Sequence, residues 1–124
     1  MPQQIRAVVV DPVAPGKLAI KPVELRDPDR DEVVVQVTAI SLNRGETRRA
    51  LTTAEAGWRP GWDFAGVVET EAADGSGPKT GTRVVGILPS GAWAERVNCR
   101  SHAVGVLPDA VSDAQAAKIG RAHV

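Results

Sequence analysis

The sequence predicts a mainly β domain, folded as a barrel or sandwich with one or two short helices. Three observations carry this. About seven short apolar runs recur along the chain, each bounded by Pro, Gly, Asn, Asp or charged residues. β-Branched residues dominate those runs, and helix-type composition is confined to two short stretches. Hydrophobic residues make up 43% of 124 residues, enough for one packed core in a chain of single-domain size. Strands this short expose edges, so the sheet is expected to close on itself or be covered.

The elements follow in order. Ile5 to Val10 is a β-branched run closed by Asp11-Pro12, Ala14 to Lys17 reads as a turn, and Leu18 to Val23 as a second strand. Together they make an opening hairpin. Arg26 to Glu32 is a polar loop containing Pro28. Val33 to Leu42 is the longest strand candidate, with Val33, Val35, Val37 and Ala39 on one face and Gln36 and Thr38 on the other. Asn43 to about Ala54 favours a helical turn or two, and Gly57 to Trp62 a tight aromatic loop. Phe64 to Thr70 is strand, and Ala73 to Gly81 a surface turn with three glycines and Pro78. Arg83 to Leu88, Ala92 to Val97 and Ala103 to Leu107 are three further strands. Ser112 to Ala117 starts a helix, with Ser112 as N-cap and Gln115 at the third position.

Composition excludes several classes. Lys plus Arg equals Asp plus Glu at 15 each, so no net field attracts nucleic acid or an anionic membrane surface. Three Trp, one Phe and no Tyr make a poor base-stacking surface. The single cysteine, Cys99, cannot form an internal disulfide, and no stretch approaches the roughly 20 apolar residues of a membrane span. The N-terminal apolar run is too short for a signal peptide, so a cytoplasmic protein is expected.

Several residues invite a chemical reading beside a structural one. Asn43 stands at a strand-to-helix junction with Glu46 three residues on, a capping-box arrangement. Arg44, Arg48 and Arg49 read first as a solvated face paired with Glu46 and Glu55. Trp58 and Trp62 bracket Pro60-Gly61; they could close a core or line a pocket for a flat ring. Asp63 reads as a buried, hydrogen-bonded acid. Cys99 and His102 are spaced as metal ligands, but two ligands do not make a site, so no metal is expected. Gly75 to Gly81 is only superficially a phosphate loop, because Pro78 interrupts it and a strand rather than a helix follows. No G-x-G-x-x-G occurs anywhere in the chain.

Three segments, taken together, carry a family resemblance: Ala39-Ile40-Ser41-Leu42-Asn43-Arg44-Gly45-Glu46; Gly61-Trp62-Asp63-Phe64-Ala65-Gly66-Val67-Val68-Glu69; and Gly81-Thr82-Arg83-Val84-Val85-Gly86 leading to Gly91-Ala92-Trp93-Ala94-Glu95-Arg96-Val97. Their order and spacing resemble the N-terminal catalytic domain of the medium-chain dehydrogenase/reductase superfamily, in its zinc-independent quinone oxidoreductase branch. The resemblance spans Ile5 to Ala117. It implies a GroES-like, partly open β-barrel over residues 1–117, followed in relatives by a Rossmann domain. Cofactor and substrate lie in the cleft between the two.

The same resemblance implies an oxidoreductase reducing a quinone, enone or similar activated carbonyl with NADPH or NADH, bound mainly by the Rossmann domain, which is expected to be absent from this chain. It also implies a homodimeric parent with a small-molecule substrate. Zinc-dependent relatives place Cys where Asn43 stands and Gly-His-Glu where Gly61-Trp62-Asp63 stands, so the resemblance also implies no zinc. An Asn at this position lies beside nicotinamide and substrate carbonyl in the family, where its amide can donate to a developing oxyanion. Asn43 is therefore the candidate catalytic and cofactor-contacting residue. Arg44 is a second candidate contact, and Trp58 and Trp62 are substrate-pocket candidates. The alternatives are an enoyl-thioester reductase of the same superfamily and a non-enzymatic GroES-like binding module.

The last seven residues, Lys118-Ile119-Gly120-Arg121-Ala122-His123-Val124, follow no packing pattern. Ile119 to Val124 can be encoded by ATC GGA AGA GCA CAC GTC with TGA next, the translated start of a widely used short-read sequencing adapter. The expectation is a tail of non-native origin at 118–124 and a parent gene that continues; reading the downstream DNA tests it.

Overall fold

A computed structural model describes residues 3–41 and 55–122, with side chains to residue 117. The predicted helix at Asn43 to Ala54 lies outside the described residues. The described elements are strands β1 (Gln3–Val10), β2 (Leu18–Leu25), β3 (Glu32–Ile40), β4 (Asp63–Thr70), β5 (Arg83–Ile87), β6 (Arg96–Arg100) and β7 (Val104–Val106), then helix α1 (Asp113–Ala122). The fold is mainly β, a partly open GroES-like barrel, as the sequence predicts.

β1 and β2 form the expected antiparallel hairpin, paired from Gln3↔Leu25 to Val10↔Leu18. The other five strands make one antiparallel sheet in the order β6-β3-β4-β5-β7. The hairpin leans on this sheet through a bridge between Ala7 and Ala94. β3 is therefore covered on both sides. Val33 and Val35 face the main core with Phe64, Val68, Val84, Val97 and Cys99, while Val34 points the other way and packs with Ile5 and Leu25. The alternation read from the sequence is present, but the face opposite Val33 and Val35 is not uniformly wet, because the hairpin roofs part of it.

Gly66 shows how closely the central strands approach. A Cβ there would lie 2.2 Å from the Gln36 carbonyl oxygen. β3 slips register between Val34 and Val35 and again between Val37 and Ala39, which bends the sheet toward closure.

α1 covers the remaining sheet face. Ala116 and Ala117 pack on Ala65 and Leu107. Its capping box forms as predicted: the Ser112 hydroxyl accepts from the Gln115 N–H at 3.2 Å, and Gln115 Oε1 accepts from the Ser112 N–H at 3.1 Å. A helix begun this way propagates through Ala, Lys, Ile and Arg, and its backbone continues through the tail residues to Ala122.

Two predicted boundaries need correction. Ala92 to Val97 is not one strand: regular pairing begins only at Arg96. Ala92 and Trp93 donate their N–H groups to Gly61 and Pro60, and Glu95 donates to Arg6, so this stretch bridges three neighbours before joining β3. Glu32 is not a loop residue. It heads β3 with 4% exposure, held there because Arg26 Nη1 and Nη2 donate to its carboxylate at 2.7 and 2.8 Å and the Asp29 N–H at 2.8 Å. Smaller shifts extend β1 by two residues at its start and β2 by two at its end, and shorten β7 by one residue at each end.

Candidate functional site

The three sequence segments singled out above meet at one point. Ser41, at the end of β3, is gripped from two sides. Its hydroxyl donates to Asp63 Oδ2 at 3.0 Å, and its carbonyl accepts from the Trp93 indole N–H at 3.1 Å. Asp63 opens β4 and has no exposed surface; Trp93 is 5% exposed. A buried carboxylate is costly unless it is hydrogen-bonded, and Ser41 is one of its donors.

Gly61 makes this convergence possible. Its φ of +113° suits glycine, and a Cβ would stand 2.6 Å from the Trp93 nitrogen. The 60–61 segment and the 92–93 segment are thereby pressed together, with Ala92 N–H on the Gly61 carbonyl at 3.1 Å.

Asn43 and Arg44 lie outside the described residues, as do Arg48 and Arg49. What the structure gives is the anchor two residues before Asn43. Trp58 and Trp62 are both partly buried and hang from different anchors. The Trp58 carbonyl accepts from the Val10 N–H at 2.8 Å, which ties it to the end of β1; the Trp62 carbonyl accepts from the Leu88 N–H at 2.7 Å, just past β5. Ile40 and Trp93 also border an apolar groove of about 280 Å³ completed by Val8, Leu18 and Ile20, the last 71% exposed.

Sequence reasoning named Asp63 but missed Ser41 and Trp93 as its companions. The signal was their membership of the quoted motifs; nothing in spacing alone pairs residues 52 positions apart.

Cys99 faces the core, and burial pushes its thiol up to about 12, so it is a neutral thiol near neutral pH. Among the described residues no three His, Cys, Asp or Glu side chains converge as a metal site would require. The described residues do not fit a dinucleotide either. α1 is the one described α-helix, and its opening turn is occupied by its own Ser112/Gln115 box rather than by a glycine-rich turn. No helix among them is long and apolar enough to cross a membrane.

Residues 29–109 match the family described as the alcohol dehydrogenase GroES-like domain. The chain belongs to this family. It is thereby a member of the medium-chain dehydrogenase/reductase superfamily. Among curated relatives, this GroES-like domain is 38% identical over 96 residues to a mycocerosic acid synthase-like polyketide synthase of Mycobacterium tuberculosis, covering 74% of the chain and 5% of the synthase. It is 32% identical over 135 residues to trans-enoyl reductase milB of Cordyceps militaris, covering 98% of the chain and 37% of that enzyme. The solved quinone oxidoreductase of Pseudomonas syringae pv. Tomato DC3000 superposes with a TM-score of 0.79 at 29% identity, over 91% of the chain and 36% of the enzyme. The GroES-like domain thus spans well under half the length of each of these relatives.

Proposed function

We propose that this domain forms the substrate-side wall of a cytoplasmic NAD(P)H-dependent oxidoreductase that reduces a quinone, enone or similar activated carbonyl. The observation that carries the reading is the double anchoring of Ser41 by Asp63 and Trp93. It fixes the backbone where the chain leaves β3 toward Asn43, and an amide held in place stabilises a developing oxyanion better than a mobile one. The quinone oxidoreductase and trans-enoyl reductase relatives support the same reading.

The hydride chemistry belongs to the nicotinamide, which in this proposal is held by a second domain of the parent protein and not by the residues described above. This chain's own part is positioning and hydrogen bonding. The Asn43 side-chain N–H donates to the substrate oxygen as negative charge grows there; Arg44, Trp58 and Trp62 border the substrate.

Asn43→Ala, made in a protein carrying both domains, tests the reading. Loss of one oxyanion donor lowers kcat/KM by about 100-fold. An unchanged kcat/KM removes Asn43 from the mechanism.

A second reading has its own support. The apolar groove of Val8, Leu18, Ile20, Ile40 and Trp93 suits the alkyl part of an enoyl thioester, and one relative is named as a trans-enoyl reductase. Comparing turnover of enoyl thioesters and quinones, with product analysis, separates the two.

A further inference from the structure

Arg59 is unlike the paired arginines of the described chain. Arg6, Arg26, Arg83, Arg96 and Arg100 each hold a carboxylate. Arg59 is partly buried, yet no carboxylate pairs with it among the described residues. Its Nε is buried without an acceptor, and its Nη2 has only the Gly91 carbonyl at 3.5 Å, a weak contact. Burial pushes its pKa down. A guanidinium stays charged under such conditions, so Arg59 is a partly desolvated cation with no carboxylate opposite it among the described residues.

This side chain lines a cavity of about 620 Å³ between the β2 end, the start of β3, β6 and the 88–91 loop. Arg26 and Arg100 stand in the same wall, each more than half or nearly half exposed and already holding acids, among them the buried Glu32. Asn98 contributes a second incomplete group: its Nδ2 donates to the Arg26 carbonyl at 2.8 Å, while its buried Oδ1 receives no hydrogen bond. Arg59 and Asn98, which both line the cavity, thus each carry a buried polar atom with no partner among the described residues.

We propose that this cavity binds a small oxyanion, a carboxylate or phosphate group, with the Arg59 guanidinium as its principal donor. A planar fork of N–H groups matches either anion; Arg26 and Arg100 are already neutralised by their carboxylates, and Glu24 and Glu32 share the wall, so Arg59 is the one lining cation without an acid among the described residues. The site does not rest on the reductase reading, since none of its residues belongs to the Ser41 anchor or to the segment carrying Asn43.

Thermal unfolding of the 124-residue chain at constant ionic strength tests this, with inorganic phosphate and acetate as probes and chloride as the control. One or both anions raise Tm by several degrees and saturate, because a ligand that binds only the folded state stabilises it by mass action. Response to phosphate alone or acetate alone identifies which group the site takes. Arg59→Met abolishes the anion effect and raises Tm in chloride, having removed a charge without a partner. Arg59→Lys keeps the charge but loses the fork, and raises the half-saturating concentration about tenfold. The proposal fails if neither anion acts beyond chloride, or if Arg59→Met responds like the parent. Should Arg59→Met not fold, an unchanged half-saturation in Arg59→Lys overturns it equally.

Discussion

The Trp93 indole is a local test of how Ser41 is held. Trp93→Phe keeps a buried ring but removes the N–H donor and some volume, leaving the Ser41 carbonyl without that partner. The expected cost is about 1–2 kcal/mol of stability by chemical denaturation. In a protein with both domains, kcat/KM falls as well, because the backbone leading to Asn43 loosens. Glu32 gives a pH prediction at the same scale. Its side-chain bonds with Arg26, and further the Asp29 N–H, hold its carboxyl below the usual glutamate range. A depressed carboxylate contributes its full stability above the unfolded-state value of about 4.3 and loses it as pH falls through the lower folded-state value. Glu32→Gln therefore flattens the stability loss between roughly pH 5 and pH 3. At neutral pH it costs about 1 kcal/mol, modest because Arg26 is more than half exposed. Denaturant midpoints across that pH range check both parts.

Among the elements, α1 offers the clearest single-site prediction. Ser112→Ala removes the hydroxyl that accepts from Gln115 and costs about 1 kcal/mol, measured by thermal or urea unfolding. This cap was legible because its logic is local: a serine, three residues, a glutamine. The hairpin was legible for the same reason, and so was the β3 face of Val33 and Val35. What could not be read was long-range. Ala92 to Glu95 has strand-like alternation, yet its hydrogen bonds go to Pro60, Gly61 and Arg6, and no local pattern says which neighbour a run will meet. The Thr38 hydroxyl, assigned to a polar face, donates to Asp113 Oδ2 at 2.6 Å, and Arg83 Nη2 donates to Asp113 Oδ1 at 2.7 Å. A strand side chain, a second strand and a helix terminus converge there from positions far apart in the chain. The candidate site divides likewise: Asp63 was recognisable as a buried acid, whereas its pairing with Ser41 required the fold.

For the whole molecule, the reading of a substrate-side wall predicts that this 124-residue chain alone does not oxidise NADPH in the presence of quinones or enones. A protein joining it to a cofactor-binding domain does, and spectrophotometric turnover by the isolated chain would contradict the reading. The core has a further practical consequence. Cys99 is the chain's one cysteine, it is 1% exposed, and its thiol stays neutral until about 12. Thiol reagents reach it only when β6 opens, locally or with the whole barrel. The wild-type chain thus carries its own reporter of opening at the β6 edge of the sheet: the rate of labelling by a thiol-specific dye follows the exposure of Cys99, with no residue introduced to report it.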